Sequence, residues 1–599
     1  VLGLKWRHFF FEIIAEFVLG LDILALLTLW LGTIGILSAP FIWIMLIVLA
    51  LPAVSFQFVS LYKNKLLFFK KNKAFSIILV LLAVYTLGSA LCYPYAWDEL
   101  TYHIALPYRW IAEGGLQVFR DNPYSGFPAM PQILFRLGAE IGGILFPRML
   151  VWYSYLVFFV AVYLIFELYT TRVGKVVFTF VFITSPLLIT MMRETYVEPF
   201  IMLNFMAAIL AVKGTGHQVL QERRLIILCG IFAGAAAAVK LTGGGVAVLI
   251  FLLLLFRQEK LDFKKILELI ILFGAGGVIV ALPFYLRPLL FAGNPVYPFM
   301  ADWFGGNEAA VLVSKFHHDM GNSHFGIKSI TGFITGPVLV AFYGRLFDGI
   351  VLGWIFPVMF VFGTLWFLKM FRSESGGTRS LWLPAGFIFY YVFWFFSSQQ
   401  TRFMIPLLVL AGLMGIRGIS VLNRKYYKYI WLGLLIIWGC GLYLPEIRHF
   451  YTAWRCVWIQ PQNPVSFIGR ASRDKGYMDA MSALSEKTPL NSKVMLLFER
   501  RGLYVPRKYV IGTPFFQEQF FTPMPGNSSE FYNILLKNKI DYILQGASVR
   551  NPDHLGEYNQ KNLEFARMLA GLIGESKLSL IWFGEGYGLF KVHKSKNQK

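Results

Sequence analysis

The chain has 599 residues, 57% of them apolar and only 15% charged, with a formal net charge of +22 and a mean hydropathy of +0.59. Soluble domains carry roughly 25% charged residues, so the composition excludes an ordinary soluble enzyme and predicts a polytopic α-helical membrane protein, with the lipid bilayer as a partner. The basic residues fall in short runs between apolar segments, which membrane topology explains, and no nucleic-acid partner is expected.

Apolar runs of about 18–25 residues read as spanning helices. They fall near 9–32, 38–61, 76–93, 148–169, 175–192, 197–213, 225–240, 244–256, 266–290, 349–369, 380–397, 402–420 and 428–445, about thirteen in all. The first is too long for a removed signal peptide and has no small-residue cleavage site. Lys5 and Arg7 precede it. Lys63, Lys65, Lys70, Lys71 and Lys73 follow the second run, and Arg172 and Lys175 separate the fourth from the fifth. Lys213, Arg223 and Arg224 follow the sixth, Arg257, Lys260, Lys264 and Lys265 the eighth, Lys369, Arg372 and Arg379 the tenth, and Arg424, Lys425 and Lys428 precede the last. By the positive-inside rule these loops share the cytoplasmic side if the N-terminus is cytoplasmic, as in a multi-pass protein of the plasma (inner) membrane.

Four segments then share the opposite, extracytoplasmic face: loop 94–147, the turn 193–198, loop 291–348 and the tail 446–599. Loop 94–147 has apolar residues at interfacial-helix spacing, including Leu106, Trp110, Ile133 and Leu137. In the tail, 494–498, 509–511 and 541–544 read as buried strands. Residues 578–583 and 587–592 read as a hairpin turned by Gly584-Glu585-Gly586, and 477–486, 529–538 and 560–574 as helices. The expected organisation is a transmembrane domain, 1–445, and a small extracytoplasmic α/β domain, 446–599.

Chemistry concentrates on that outer face. Trp97-Asp98-Glu99 places two carboxylates at a membrane–water boundary, where acidic residues are functional candidates by default; a solvated loop would carry the same pair. Glu194 and Glu198 are four apart at a helix start, where acids also serve simply as dipole partners. Lys240 and Arg402 are cations at the ends of runs and suit a phosphate, as they would suit anchoring. Arg287 precedes the stiff turn Gly293-Asn294-Pro295-Val296-Tyr297-Pro298. His317, His318, Asp319 and His324 have no defensible metal spacing, and neither do Cys92, Cys229, Cys440 and Cys456, so no metal residues are assigned. Gly274-Ala275-Gly276-Gly277 lies within a span and suits close helix packing.

Taken in order, Trp97-Asp98-Glu99-Leu100-Thr101-Tyr102-His103-Ile104-Ala105-Leu106-Pro107 and Asn122-Pro123-Tyr124-Ser125-Gly126-Phe127-Pro128 resemble the first external loop of bacterial GT-C membrane glycosyltransferases. The protein O-mannosyltransferase and aminoarabinose-transferase group is the nearest match. Tyr196-Val197-Glu198, Val239-Lys240-Leu241-Thr242, Gly293 to Pro298 and Arg402-Phe403-Met404-Ile405-Pro406 extend the resemblance over roughly residues 76–420. It implies inverting transfer of a sugar from a polyprenyl-phosphate donor to an extracytoplasmic acceptor that the motifs do not identify. On this resemblance Asp98 is the base, with Glu99 and Glu198 as catalytic neighbours. His103, Arg109, Glu194, Lys240, Arg287, Asn294, Tyr297 and Arg402 are candidates for substrate binding. No cofactor is assigned; a divalent cation stays open, because the oligosaccharyltransferase branch needs one. The rival readings are a flippase for lipid-linked sugars, which predicts ionisable residues along several spans, and a non-catalytic envelope-assembly protein. The tail falls outside the family's shared core.

Overall fold

The computed structural model describes residues 4, 6, 8–56, 69–215, 219–258, 261–323, 325–372, 381–422, 426–440, 444–459, 475–546 and 556–594. Lys5, Arg7, Lys63, Lys65, Lys260, His324, Arg379, Arg424 and Lys425, and the side chains of Lys428, Cys440 and Cys456, lie outside that set. Contacts divide the chain into two units. One comprises residues 1–92, 129–284 and 325–457, and the other 93–128, 285–324 and 458–599.

The first unit is helical. Each apolar run of the sequence falls on a helix among the described residues, the fifth being split into Arg172–Ile183 and Pro186–Met191 at Ser185-Pro186. Among the described residues, five helices are by length and composition able to cross a bilayer: Phe9–Thr33, Lys73–Ala90, Phe146–Glu167, Phe263–Ala292 and Thr401–Ser420. Shorter apolar helices include Gly243–Leu255, Ile355–Met370 and Trp382–Phe396. Ile330–Phe342, which the sequence reading left within a long loop, is also an apolar helix. Together with the small C-terminal sheet described below, this is the architecture of a polytopic helical membrane protein.

Helix Glu198–Gly214 is the centre of this unit. All its residues except Lys213 are buried, as expected of a helix that is apolar all round. It packs against Phe9–Thr33, Phe146–Glu167 and Val219–Val239. Helix Met130–Gly142 also belongs here. It is buried from Met130 to Ala139 and packs on Phe9–Thr33 and Phe146–Glu167. Where two helices meet backbone to backbone, glycine is required. A Cβ at Gly234 would stand 2.2 Å from the Gly277 carbonyl oxygen, and one at Gly276 would stand 2.3 Å from that of Ile227, so the glycine-rich stretch inside the span serves close helix packing.

The second unit is built on a five-stranded sheet of order β2-β1-β3-β5-β4, with β1 Lys493–Leu497, β2 Lys508–Ile511, β3 Tyr542–Gln545, β4 Leu578–Gly584 and β5 Tyr587–Val592. β1 is parallel to β2 and β3, while β5 is antiparallel to β3 and β4. Met495, Leu497, Ile543, Phe531, Leu535, Phe565 and Leu572 share one core with neighbouring residues of the sheet and of helices Ser528–Lys537 and Gly556–Gly574. The apolar runs that read as strands are buried for this reason. Two segments distant in sequence, 93–128 and 285–324, cluster with this sheet.

Candidate functional site

In the first unit three of the residues singled out by sequence converge. Glu198 opens the central helix with Pro199 in its first turn, and its carboxylate is buried. Lys240 sits in the break between helices Val219–Val239 and Gly243–Leu255. Gly243 permits that break: its N–H donates to the Lys240 carbonyl at 2.8 Å, and a Cβ there would fall 1.8 Å from the Ala236 carbonyl oxygen. Lys240 Nζ lies 3.4 Å from Glu198 Oε1, and Arg402 Nε lies 3.9 Å from the same oxygen. The other oxygen, Glu198 Oε2, is buried with no hydrogen-bond partner among the described residues. A small cavity here is lined by Glu198, Met202, Thr242, Tyr390, Arg402 and Phe403, among others.

Aromatic faces orient the two cations. Lys240 Nζ lies 4.1 Å from the centroid of Phe403, and Arg402 Cζ lies 4.6 Å from that of Tyr196. The Arg402 N–H donates to Asp348 Oδ2 at 3.3 Å. Burial pushes the Asp348 carboxyl up, against the opposing pull of Arg402. Two cations around one buried carboxylate make a cradle for a further anion, since guanidinium and ammonium donors match phosphate oxygens. Asp348 and Tyr390 were not identified by sequence reasoning, and Tyr196 and Phe403 entered it only as motif neighbours of Glu198 and Arg402. Asp348 is a lone acid among apolar residues, which is the only local signal it offers. Glu194 pairs with Arg193 at 3.1 Å.

The second unit holds the acidic triplet and most of the other candidates. Asp98 is half-buried and immediately precedes a π-turn, Glu99–His103, in which the Ile104 N–H reaches the Glu99 carbonyl at 3.1 Å; such one-residue bulges recur at functional sites. The Glu99 side chain is turned back. Its Oε2 accepts the N–H groups of Tyr95 and Ala96, each at 2.9 Å, and it is 1% exposed. His103 is buried, with its ring 4.1 Å from Tyr102.

Arg109, Arg287 and Asn294 are committed to holding loops. Arg109 Nη1 bonds Asp121 Oδ2 at 2.9 Å, and its Nε meets Glu113 Oε1 at 3.0 Å. Burial alone would lower the Arg109 pKa, but Asp121 and Tyr509 outweigh it and the guanidinium is held more firmly charged than usual. Asp121 Oδ2 also accepts the Ile511 N–H of β2 at 3.0 Å. Arg287 is buried and donates to the carbonyls of Leu116, Ser125 and Phe127 at 3.2, 2.6 and 2.7 Å. Asn294 Oδ1 accepts the Val296 N–H at 2.9 Å, and its Nδ2 donates to the Phe299 carbonyl at 2.7 Å. That turn contains the cis Tyr297-Pro298 bond. The Tyr297 ring lies over Gly126, where a Cβ would stand 2.2 Å from it; burial and the neighbouring Glu518 raise its phenol pKa.

His317 is half-buried among Tyr124, Phe316 and Phe516. Its Nδ1 lies 2.8 Å from the Val313 carbonyl, and burial lowers its pKa to about 4. His318 instead pairs with Asp319 at 3.5 Å, so the two adjacent histidines do not share one site.

No protein-family model matches the sequence, and no curated protein matches it significantly. Among solved structures, ArnT from Cupriavidus metallidurans bound to undecaprenyl phosphate aligns with a TM-score of 0.54 at 12% identity, covering 86% of this chain and 97% of that one. The same protein in the apo state aligns with a TM-score of 0.55 at 12% identity, covering 86% of this chain and 96% of that one. At this identity the likeness is one of fold. The chain therefore carries the fold of ArnT, the aminoarabinose transferase of the GT-C group whose loop motifs its sequence resembles.

Proposed function

We propose that this protein is a membrane glycosyltransferase that moves a sugar from a polyprenyl-phosphate donor to an extracytoplasmic acceptor. The observation that carries this is the pair of cations, Lys240 and Arg402, converging on buried Glu198 beside a small cavity. It is supported by a fold whose solved example holds undecaprenyl phosphate. In this reading Asp98 takes the proton of the acceptor hydroxyl, as the motif resemblance implies. The oxygen forms a bond to the anomeric carbon, and the bond from that carbon to the phosphate oxygen breaks with inversion. The electron pair leaves on the phosphate, whose charge Lys240 and Arg402 offset. Phosphate is a good leaving group, so no general acid is required.

Glu198 draws the two cations onto one oxygen and orients them. Glu99, Arg109, Arg287 and Asn294 maintain loop geometry, while Glu194, His103 and Tyr297 remain substrate-binding candidates. The N-terminus is placed in the cytoplasm of a plasma-membrane protein with about thirteen spans, the catalytic domain over 1–445 and an extracytoplasmic domain over 446–599.

The test is direct. Purified protein is incubated with a panel of polyprenyl-phosphate sugars and envelope acceptors, and undecaprenyl phosphate is titrated in a thermal-shift assay. Sugar transfer and stabilisation by the lipid are expected, both reduced in a Lys240→Met/Arg402→Met variant. Equal stabilisation of wild type and variant, with no transfer from any donor, would remove the assignment.

A further inference from the structure

The connection between β1 and β2 spans residues 498–507. The two strands are parallel, so this segment must return from the end of one to the start of the other. On that path it grips the acidic triplet from both sides. The N–H groups of Gly502 and Leu503 donate to the Leu100 carbonyl at 2.9 and 3.2 Å. The Tyr504 hydroxyl donates to the Pro94 carbonyl at 2.8 Å. Arg501 Cζ lies 4.9 Å from the centroid of the Trp97 ring. Residues 94, 97 and 100 are therefore pinned, and Asp98 lies between the pins.

The gripping segment is itself rigid. Arg501 makes a two-pronged bond to Glu499, at 3.0 and 2.7 Å, and a third to the Tyr587 hydroxyl at 2.7 Å. Its carbonyl accepts the Tyr477 hydroxyl at 3.1 Å, and its guanidinium lies 4.1 Å from the Tyr477 ring. Arg501 is thus tied to β5 and to helix Lys475–Lys487. Gly502 is demanded by close approach, because a Cβ there would stand 2.1 Å from the Tyr509 hydroxyl. From the other direction, Glu99 ties down the N–H groups of Tyr95 and Ala96. The stretch 94–100 is held at more points than loop closure requires, which is how a reacting side chain is kept within a fraction of an ångström of its working position.

We infer that Arg501 and Tyr504 are positioning residues for Asp98, and that the C-terminal sheet is a working part of the transfer apparatus. This rests on the reading of Asp98 as the base. The test uses the full-length protein with Tyr504→Phe and Arg501→Met, each made in the wild-type and Asp98→Asn backgrounds. Hydrogen exchange in peptides covering 93–104 is expected to speed up in both single variants. The turnover number is expected to fall about five-fold while the donor KM stays within about two-fold. On Asp98→Asn, the same substitutions should leave the residual rate unchanged, because the group they position is gone. Unaltered exchange in 93–104, or a second loss of equal size on Asp98→Asn, would overturn the inference. Full activity in Asp98→Asn would instead remove the base assignment, and the exchange data would then decide the grip by themselves.

Discussion

Replacing Lys240 with methionine separates the structural from the binding role of the cation pair. The substitution keeps most of the side-chain volume and removes the ammonium 3.4 Å from Glu198 Oε1; the side chains are 16% and 5% exposed. Breaking a fully buried pair on one side costs about 3–5 kcal/mol. Arg402 stays 3.9 Å from the same oxygen, and Lys240 is not sealed from solvent, so about 1–3 kcal/mol is the expected loss. Its readout is a Tm lower by a few degrees. A charge-assisted bond to a phosphate contributes about 1.5–3 kcal/mol, so the Kd for undecaprenyl phosphate should rise roughly 10- to 150-fold.

The double variant Lys240→Met/Glu198→Gln removes the buried carboxylate that the single change leaves short of a partner. It should recover most of the Tm without recovering lipid affinity. Both quantities come from one thermal-shift titration in detergent and do not depend on turnover. If the double variant regains lipid affinity along with its Tm, Lys240 serves only to neutralise Glu198 and the phosphate role is refuted.

Asp98→Asn should lower sugar transfer about 10²–10⁴-fold while membrane insertion stays normal; transfer at the wild-type rate would exclude Asp98 as the base. Asp121→Asn should cost about 3–5 kcal/mol, because Asp121 is 1% exposed and joins Arg109 to β2. Glu113→Gln, which removes an acid 45% exposed, should cost at most about 1 kcal/mol; equal Tm losses in the two variants would contradict this. His317 gives the pH test. Its folded pKa of about 4 lies below the ordinary 6.5, so as pH falls through that window the unfolded chain binds the proton first. Its contribution is full above the upper value and is lost by about 1 kcal/mol per pH unit below it. His317→Phe should flatten the Tm–pH profile between the two values, and parallel profiles would argue against a buried neutral imidazole.

Particular elements show how far the sequence could be read. The strands at 494–498 and 509–511 were legible because short apolar runs flanked by polar turns leave few alternatives, and they appear as β1 and β2. Lys240, Glu198 and Arg402 stood out in the sequence as charges at the ends of apolar runs, where ionisable residues are functional candidates. Asp348 was not legible, because its link to Arg402 is a backbone contact across 54 positions. Nor was the pairing of Arg109 with Asp121, since an arginine in a polar segment has the same local sequence whether it meets a ligand or a neighbouring carboxylate. The π-turn at 99–103 carries no periodic signature, and neither does the return of Glu99 onto Tyr95 and Ala96.

What the sequence determines by itself is where apolar surface must be hidden: the helical membrane class, the run of helices, and the strands of the C-terminal sheet. The hydrophobic effect is non-directional and scales with area, so composition and period suffice to report it. Which charge meets which is decided only in the tertiary structure. Hydrogen bonds and ion pairs depend on distance and angle, and these are set when distant segments pack. Lys240 and Arg402 are brought together on the Glu198 carboxylate, and the triplet around Asp98 is held by Arg501, Gly502, Leu503 and Tyr504.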